Sequence, residues 1–449
     1  MNRIFYNLFL AGYSAAVRLA SLWNPKAKSW VQGRKNWEYK IAQWRSETNA
    51  PEPGSPENTN ATSTNNSTPS SVNANDQSKV IWMHCASLGE FEQGRPLLEA
   101  IGLQYPNHKI VLTFFSPSGY NIRKNYAGAH LIMYLPMDSP TTARAFIDAV
   151  NPSLVLWVKY EYWFYYLREL KNREIPVLLI SGIFRESQPF FKWYGNFWRG
   201  ILPSFAQMFV QTSQSEDLLN AIGIKEKIVV AGDTRFDRVV QIAEKWEPLG
   251  DEVAQFCGNH PVLVAGSTWE EDEELLIHYA KVSPEIKFII APHEVSPERI
   301  GDLQKEFPHS ILYSTLSGDL PFPLEKANVL IIDNMGILSR LYKYASITYV
   351  GGGFNKSGIH NILEAAVYGK PVIFGQVYEK FAEARELVEI GGAFSVDDAL
   401  DLENLLNSLF EDSEALEKSS LASKEFVYGQ RGATSKILSY IERNRLLTS

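Results

Sequence analysis

Residues 349–375, YVGGGFNKSGIHNILEAAVYGKPVIFG, decide how the chain is built. The apolar run 347–350 reads as a buried strand that stops at Gly351-Gly352-Gly353. A helix is expected to begin near His360-Asn361 and to run through Glu364. Gly369-Lys370-Pro371 then turns the chain into a second apolar run at 371–374. Strand, helix and strand in that order make a parallel unit, since parallel neighbours need a crossover connection.

Outward from this unit the same alternation continues. Short apolar runs at 262–265, 288–291 and 329–332 precede it. An earlier series lies at 80–83, 109–113, 154–158, 177–181 and 208–211, with helical patterns such as 96–105 and 141–150 between strands. Two such series, meeting near 235–260, predict an α/β protein of two doubly wound, Rossmann-like domains facing a cleft. Ligands in such folds bind at the carboxyl ends of the strands. A length of 449 residues fits two or three units. With 45% hydrophobic and 21% charged residues the chain is globular. Lys and Arg number 43 against 51 Asp and Glu, and the net charge of −8 argues against a general nucleic-acid binder. Cys85 and Cys257 form neither a disulfide framework nor a zinc spacing, so a reducing compartment is expected.

The segment 4–23 has about the length of a membrane span, roughly 20 residues, but Asn7, Ser14 and Arg18 interrupt it. No small-residue cleavage site follows. Lys26, Lys28, Arg34, Lys35, Lys40 and Arg45 then face a single acid, Glu38, with Trp30, Trp37 and Trp44 interleaved. Basic residues attract anionic lipid and tryptophans prefer the interface, so 1–46 is expected to associate with a membrane. The alternative is an amphipathic helix packed on the protein's own core. In 47–78, Ser, Thr and Asn fill 18 of 32 positions, with no Lys or Arg. Such a tract buries too little to order itself, and a disordered linker is expected.

Three loops carry the candidate chemistry. In HCASLGEFEQGRP, 84–96, Glu90 falls at the start of a helix after a strand, either as a first-turn charge or as a general base. In WVKYEYWFYYL, 157–167, Glu161 sits among aromatics, either as a solvated acid or as a group aimed at a sugar. In 349–375 the glycines permit close approach of a phosphate, the expected helix start offers N–H groups, and Glu364 is placed to accept from ribose hydroxyls. Neither GxGxxG nor GxxxxGK[ST] is present, which weakens dehydrogenase and P-loop readings. The triple glycine followed by HNxxE and GKPV marks a nucleotide-sugar site. Gly266-Ser267-Thr268, Pro292-His293 and Asn334-Met335-Gly336 also follow strands.

Together these pieces resemble the 3-deoxy-D-manno-octulosonic acid (Kdo) transferases of lipid A biosynthesis. The resemblance rests on SLGEF (87–91), GDTRFD (232–237), AGST (265–268), DNMG (333–336), GGGFNKSGIHNILEAA (351–366) and GKPVIFG (369–375), and runs to about residue 396. It implies the glycosyltransferase B fold, with acceptor binding in 79–240 and CMP-Kdo donor binding in 241–449. It also implies a glucosamine disaccharide lipid A precursor (lipid IVA) as acceptor, at the cytoplasmic face of the inner membrane. By position, Glu90 matches the family's proton acceptor, and Glu161 and Arg235 match positions that help stabilise the transition state. Pro292, His293, Met335, Gly336, Ile337, Asn361, Ile362, Leu363 and Glu364 fall where the family binds CMP.

Three positions depart from the pattern. His293 stands where the family has Arg, Ile337 where it has Glu, and Lys159 replaces the first acid of its ETELWP stretch. Arg299 and Lys159 are the candidates to supply the missing charge. An inverting transfer is expected, with no metal and no cofactor. The alternatives are a UDP-sugar enzyme of the same fold and a non-catalytic membrane-anchored binding protein.

Overall fold

The structure, a computed structural model, describes residues 3–48, 78–318 and 320–448. It divides into two compact units, Met1–Asp237 with Gly432–Ser449, and Arg238–Arg431. Among the described residues the first holds seven strands: β1 (Val80–Cys85), β2 (Lys109–Phe114), β3 (Leu131–Tyr134), β4 (Leu154–Val158), β5 (Val177–Gly182), β6 (Gln207–Val210) and β7 (Ile228–Val230). The second holds β8 (Val262–Thr268), β9 (Lys287–Pro292), β10 (Ser310–Leu312), β11 (Val329–Ile331), β12 (Ile347–Val350), β13 (Val372–Gly375) and β14 (Ala393–Val396).

Each unit folds around one parallel sheet. The orders are β3-β2-β1-β4-β5-β6-β7 and β10-β11-β9-β8-β12-β13-β14. β1, VIWMHC, and β4, LVLWV, are buried along their whole length, as strands covered on both faces must be. Strand order reverses between β1 and β4 in the first sheet and between β8 and β12 in the second. At such a switch point the loops leave in opposite directions and open a crevice at the carboxyl ends of the strands. Glu90 and Glu161 follow β1 and β4, and the triple glycine follows β12.

Two expectations about the ends of the chain are corrected. Residues 1–46 are not a separate segment: α1 (Arg3–Ala20), α2 (Pro25–Gly33) and α3 (Trp37–Thr48) belong to the first unit. Trp30, Trp37 and Trp44 are buried against protein rather than presented to lipid. Trp37 packs on Phe146 with centroids 5.7 Å apart, and Ile41 and Trp44 join the same core. Arg34 is half-buried, its guanidinium 3.8 Å above Trp30 and 4.6 Å from the Phe115 ring, donating to the carbonyls of Leu135 at 2.9 Å and Phe115 at 2.7 Å. α1 is different. Tyr6 and Leu10 are buried, but Ile4, Phe5, Leu8 and Phe9 are each 62–64% exposed. Among the described residues no helix is long and apolar enough to cross a membrane. The linker expected at 47–78 lies, from 49 to 77, outside the described residues.

The second correction concerns 241–449. The chain enters the second unit at Arg238 and leaves it at Arg431, and the helix Ala433–Arg443 belongs to the first. Asp237 holds it there: its carboxylate accepts the N–H of Gly432 at 2.6 Å and of Thr434 at 2.7 Å. Ala433, Ile437, Ile441 and Leu447 complete an apolar cluster with Ile81, Leu97, Leu98 and Ile101.

Candidate active site

In the first unit β1 ends at Cys85, and Ser87 caps the helix α4 (Leu88–Gln104), its hydroxyl accepting the Glu90 N–H at 3.4 Å. The helix therefore starts earlier than the pattern 96–105 suggested and carries Pro96 inside it. Glu90 is buried, and its carboxylate accepts the Ala86 N–H. Burial pushes its pKa from the usual 4.5 to about 7; the Glu161 charge adds to the rise, while the Ala86 and Tyr160 amides and Lys159 oppose it. A carboxyl group titrating near neutrality is poised to take up a proton at working pH.

Glu161 is reached through the turn after β4, where Lys159 takes φ 56°. One of its oxygens, Oε2, accepts from the Trp163 indole at 2.9 Å and lies 2.9 Å from His84 Nε2. Arg235, on the GDTRFD stretch, is paired with Asp233 at 2.8 Å, and Asp233 in turn accepts from Gln93 of α4 at 3.4 Å. That stretch thus does two jobs: Asp233 fixes Arg235 beside α4, and Asp237 fastens the C-terminal helix.

In the second unit the glycines are demanded first by close chain crossings. A Cβ at Gly351 would lie 2.4 Å from the Ser267 carbonyl oxygen, and one at Gly353 would lie 2.5 Å from Gly375 Cα. Asp272 Oδ2 accepts the N–H of Gly352 and of Trp269, each at 2.9 Å, and Oδ1 accepts the Tyr349 hydroxyl at 2.8 Å. The Gly351 N–H goes to the Gly266 carbonyl at 2.9 Å. The first two glycine amides are therefore spent within the protein rather than kept for a phosphate.

The helix expected from His360 is only Leu363–Ala366. Asn361 nucleates it, accepting the Leu363 N–H at 3.2 Å and donating to Glu364 Oε1 at 3.0 Å. Ile362 and Leu363 are buried, so they reach a ligand only through their backbone. Met335 is exposed, Gly336 turns at φ 93°, and Ile337 is half-buried before a short helix.

Pro292 ends β9, and the His293 ring is stacked between two others. Its centroid is 4.5 Å from Trp269 and 4.5 Å from His360. The Trp269 indole donates to His360 Nε2 at 3.1 Å. Burial, aided by the charge of His293, pushes the His360 pKa down to about 4, so that ring is neutral at pH 7. Of the two candidates for the missing charge, Arg299 is committed: it pairs with buried Glu273, which also accepts from Thr268 Oγ1 at 2.6 Å. Lys159 stands 5.2 Å from the Tyr160 ring.

Sequence reasoning passed over His84, Trp269 and Asp272. His84 had a signal. It is a polar residue inside the otherwise apolar run VIWMHC, and a buried polar group needs a partner.

A parallel sheet in each unit, with a neutral-range carboxyl group at one switch point and a glycine-turn loop with stacked rings at the other, is an architecture of the glycosyltransferase B type. The family model described as 3-deoxy-D-manno-octulosonic-acid transferase (kdotransferase) matches residues 60–238. A 3-deoxy-D-manno-octulosonic acid transferase of Haemophilus influenzae is 28% identical over 384 residues, covering 81% of this chain and 88% of its own. One from Aquifex aeolicus is 26% identical over 339 residues, covering 74% and 86%. A UDP-GlcNAc 2-epimerase from Neisseria meningitidis superposes with a TM-score of 0.52 at 18% identity, covering 81% of this chain and 100% of that one, a likeness of fold alone. Over most of its length the chain is similar to Kdo transferases, glycosyltransferases by name.

Proposed function

We propose that the protein transfers Kdo from CMP-Kdo to the glucosamine disaccharide lipid A precursor, lipid IVA, in lipopolysaccharide core biosynthesis. Glu90 carries the reading, because a buried carboxyl group held near pKa 7 at a strand end is suited to accept a hydroxyl proton. The primary hydroxyl of the acceptor gives its proton to Glu90 as its oxygen bonds to the anomeric carbon of Kdo. The bond from that carbon to the CMP phosphate breaks, and CMP leaves with the electron pair. A single displacement inverts the configuration.

The second unit holds the donor: Pro292, His293, Met335, Gly336, Ile337, Asn361, Ile362, Leu363 and Glu364 line its nucleotide. Glu161 and Arg235 act on the charge that develops in the transition state. CMP carries one phosphate, and the transfer needs no metal. The exposed apolar side of α1, with Arg3, Arg18, Lys26 and Lys28 exposed nearby in sequence, lies on the cytoplasmic face of the inner membrane without spanning it.

The test is incubation with CMP-Kdo and lipid IVA, followed by mass measurement of the lipid and assay of the released nucleotide. The lipid gains Kdo and CMP appears. Turnover of a UDP-sugar with none of CMP-Kdo would overturn the reading.

A further inference from the structure

His84 on β1 is fully buried, and both its ring nitrogens are engaged. The distances around it point to one tautomer. The Trp82 indole can only donate, and it gives its proton to Thr113 Oγ1 at 2.8 Å. The Thr113 hydroxyl has one proton of its own, and its near acceptor is His84 Nδ1 at 2.9 Å, against 3.4 Å for the Met83 carbonyl. The shorter contact makes Nδ1 the acceptor, which puts a proton on Nε2, and Nε2–H then donates to Glu161 Oε2 at 2.9 Å. With the Trp163 indole on the same oxygen, Oε2 has two donors. Oε1 has no hydrogen-bond partner among the described residues, and the Glu161 side chain is 19% exposed.

We propose that His84 is a positioning residue for the transfer reaction: the chain Trp82–Thr113–His84 holds Glu161 by Oε2, with Oε1 open to the acceptor sugar and the carboxyl group fixed beside Glu90. The inference rests on Glu90 being the base. The other groups facing the pair are Lys159, Tyr162 and Cys85 around Glu90, and Arg34 and Tyr13 beside Glu161. Among them Glu161 raises the Glu90 pKa and Lys159 lowers it. Releasing Glu161 from its tether therefore moves Glu90 toward stronger acidity.

Two substitutions separate the partners of His84. Gln places an amide N–H where Nε2 stands and keeps the donor to Glu161; Asn places its amide beside Thr113 and leaves Glu161 without it. His84→Asn is expected to lose about 10- to 100-fold in kcat, the worth of a hydrogen bond to a charged group, whereas His84→Gln stays within about threefold of wild type. In the Asn variant the KM for CMP-Kdo holds, and the acid limb of the kcat profile moves to lower pH. Equal losses in the two variants, or an unmoved limb in the Asn variant, overturn the proposal. Nitrogen-15 NMR of the full chain with labelled histidine tests the tautomer without turnover: His84 is expected as Nε2–H, and an Nδ1–H form overturns the chain. If wild type transfers no Kdo, the functional reading fails on its own, and the tautomer still decides this one.

Discussion

Replacing Glu90 by Gln separates what the carboxyl group does for the reaction from what it does to the fold. Its pKa stands at about 7 in the folded protein against an ordinary 4.5, and burial is the main cause. The folded state thus binds this proton more tightly than the unfolded one. The contribution to stability is fully present below pH 4.5 and is lost as pH rises through 7. At pH 8.5 the ionised group costs the first unit about 3 kcal/mol that Gln does not. The gap in stability between Glu90→Gln and wild type should therefore widen by about 3 kcal/mol from pH 4.5 to 8.5, with the variant the more stable partner on the alkaline side. Turnover should fall by about 10²–10⁴-fold, the usual worth of a positioned base. Wild-type kcat/KM should show an acid limb near pH 7. Denaturant unfolding of both proteins across that range, with kcat/KM measured in parallel, supplies the test. Parallel stability curves, or a Gln variant that keeps about a third of the rate or more, would refute the argument.

Glu364→Ala removes a charged acceptor tied to Asn361 and should weaken CMP binding by about 1.5–3 kcal/mol in a calorimetric titration, leaving acceptor binding unchanged. His293→Ala takes the middle ring from the stack with Trp269 and His360; the KM for CMP-Kdo should rise about fivefold, and an unchanged KM would remove His293 from the donor site. Asp237→Ala strips two N–H acceptors from the start of the C-terminal helix, costing about 1–2 kcal/mol, with hydrogen exchange across 433–443 rising first. Phe5→Glu with Leu8→Glu should lower flotation with anionic vesicles at least tenfold, at about 1.5–3 kcal/mol for each lost apolar contact, while helical content holds.

The two-sheet architecture was legible because its central strands are uninterrupted apolar runs. The edge strands were not. β3, β7, β10 and β14 span only three or four residues, and in none of them does a long run stand out from the neighbouring turns. Glu90 and Glu161 were visible from their place after strands, whereas the helix expected from His360 starts only at Leu363, where Asn361 caps it, and spans one turn. The N-terminal tryptophans misled for a physical reason. Trp among Lys and Arg has the same composition at a lipid interface and on the back of a sheet. Position distinguishes them: Trp37 and Trp44 are seven residues apart on α3 and share one helical face with buried Ile41, while α1 keeps its apolar residues on two sides.

The return of residues 432–448 to the first unit sets an order on synthesis. A ribosome making this chain completes β1 through β7, then the entire second unit, before the helix Ala433–Arg443 emerges. Until then the apolar patch of Ile81, Leu97, Leu98 and Ile101 lacks Ile437, Ile441 and Leu447 over it. At about 5–20 residues per second, the 194 residues of the interval 238–431 keep that patch uncovered for roughly 10–40 seconds. A nascent chain of this protein therefore carries a sticky, half-built first unit for most of the second half of its translation. A frameshift or stop codon after Arg431 would strand it in that condition, with the second unit complete.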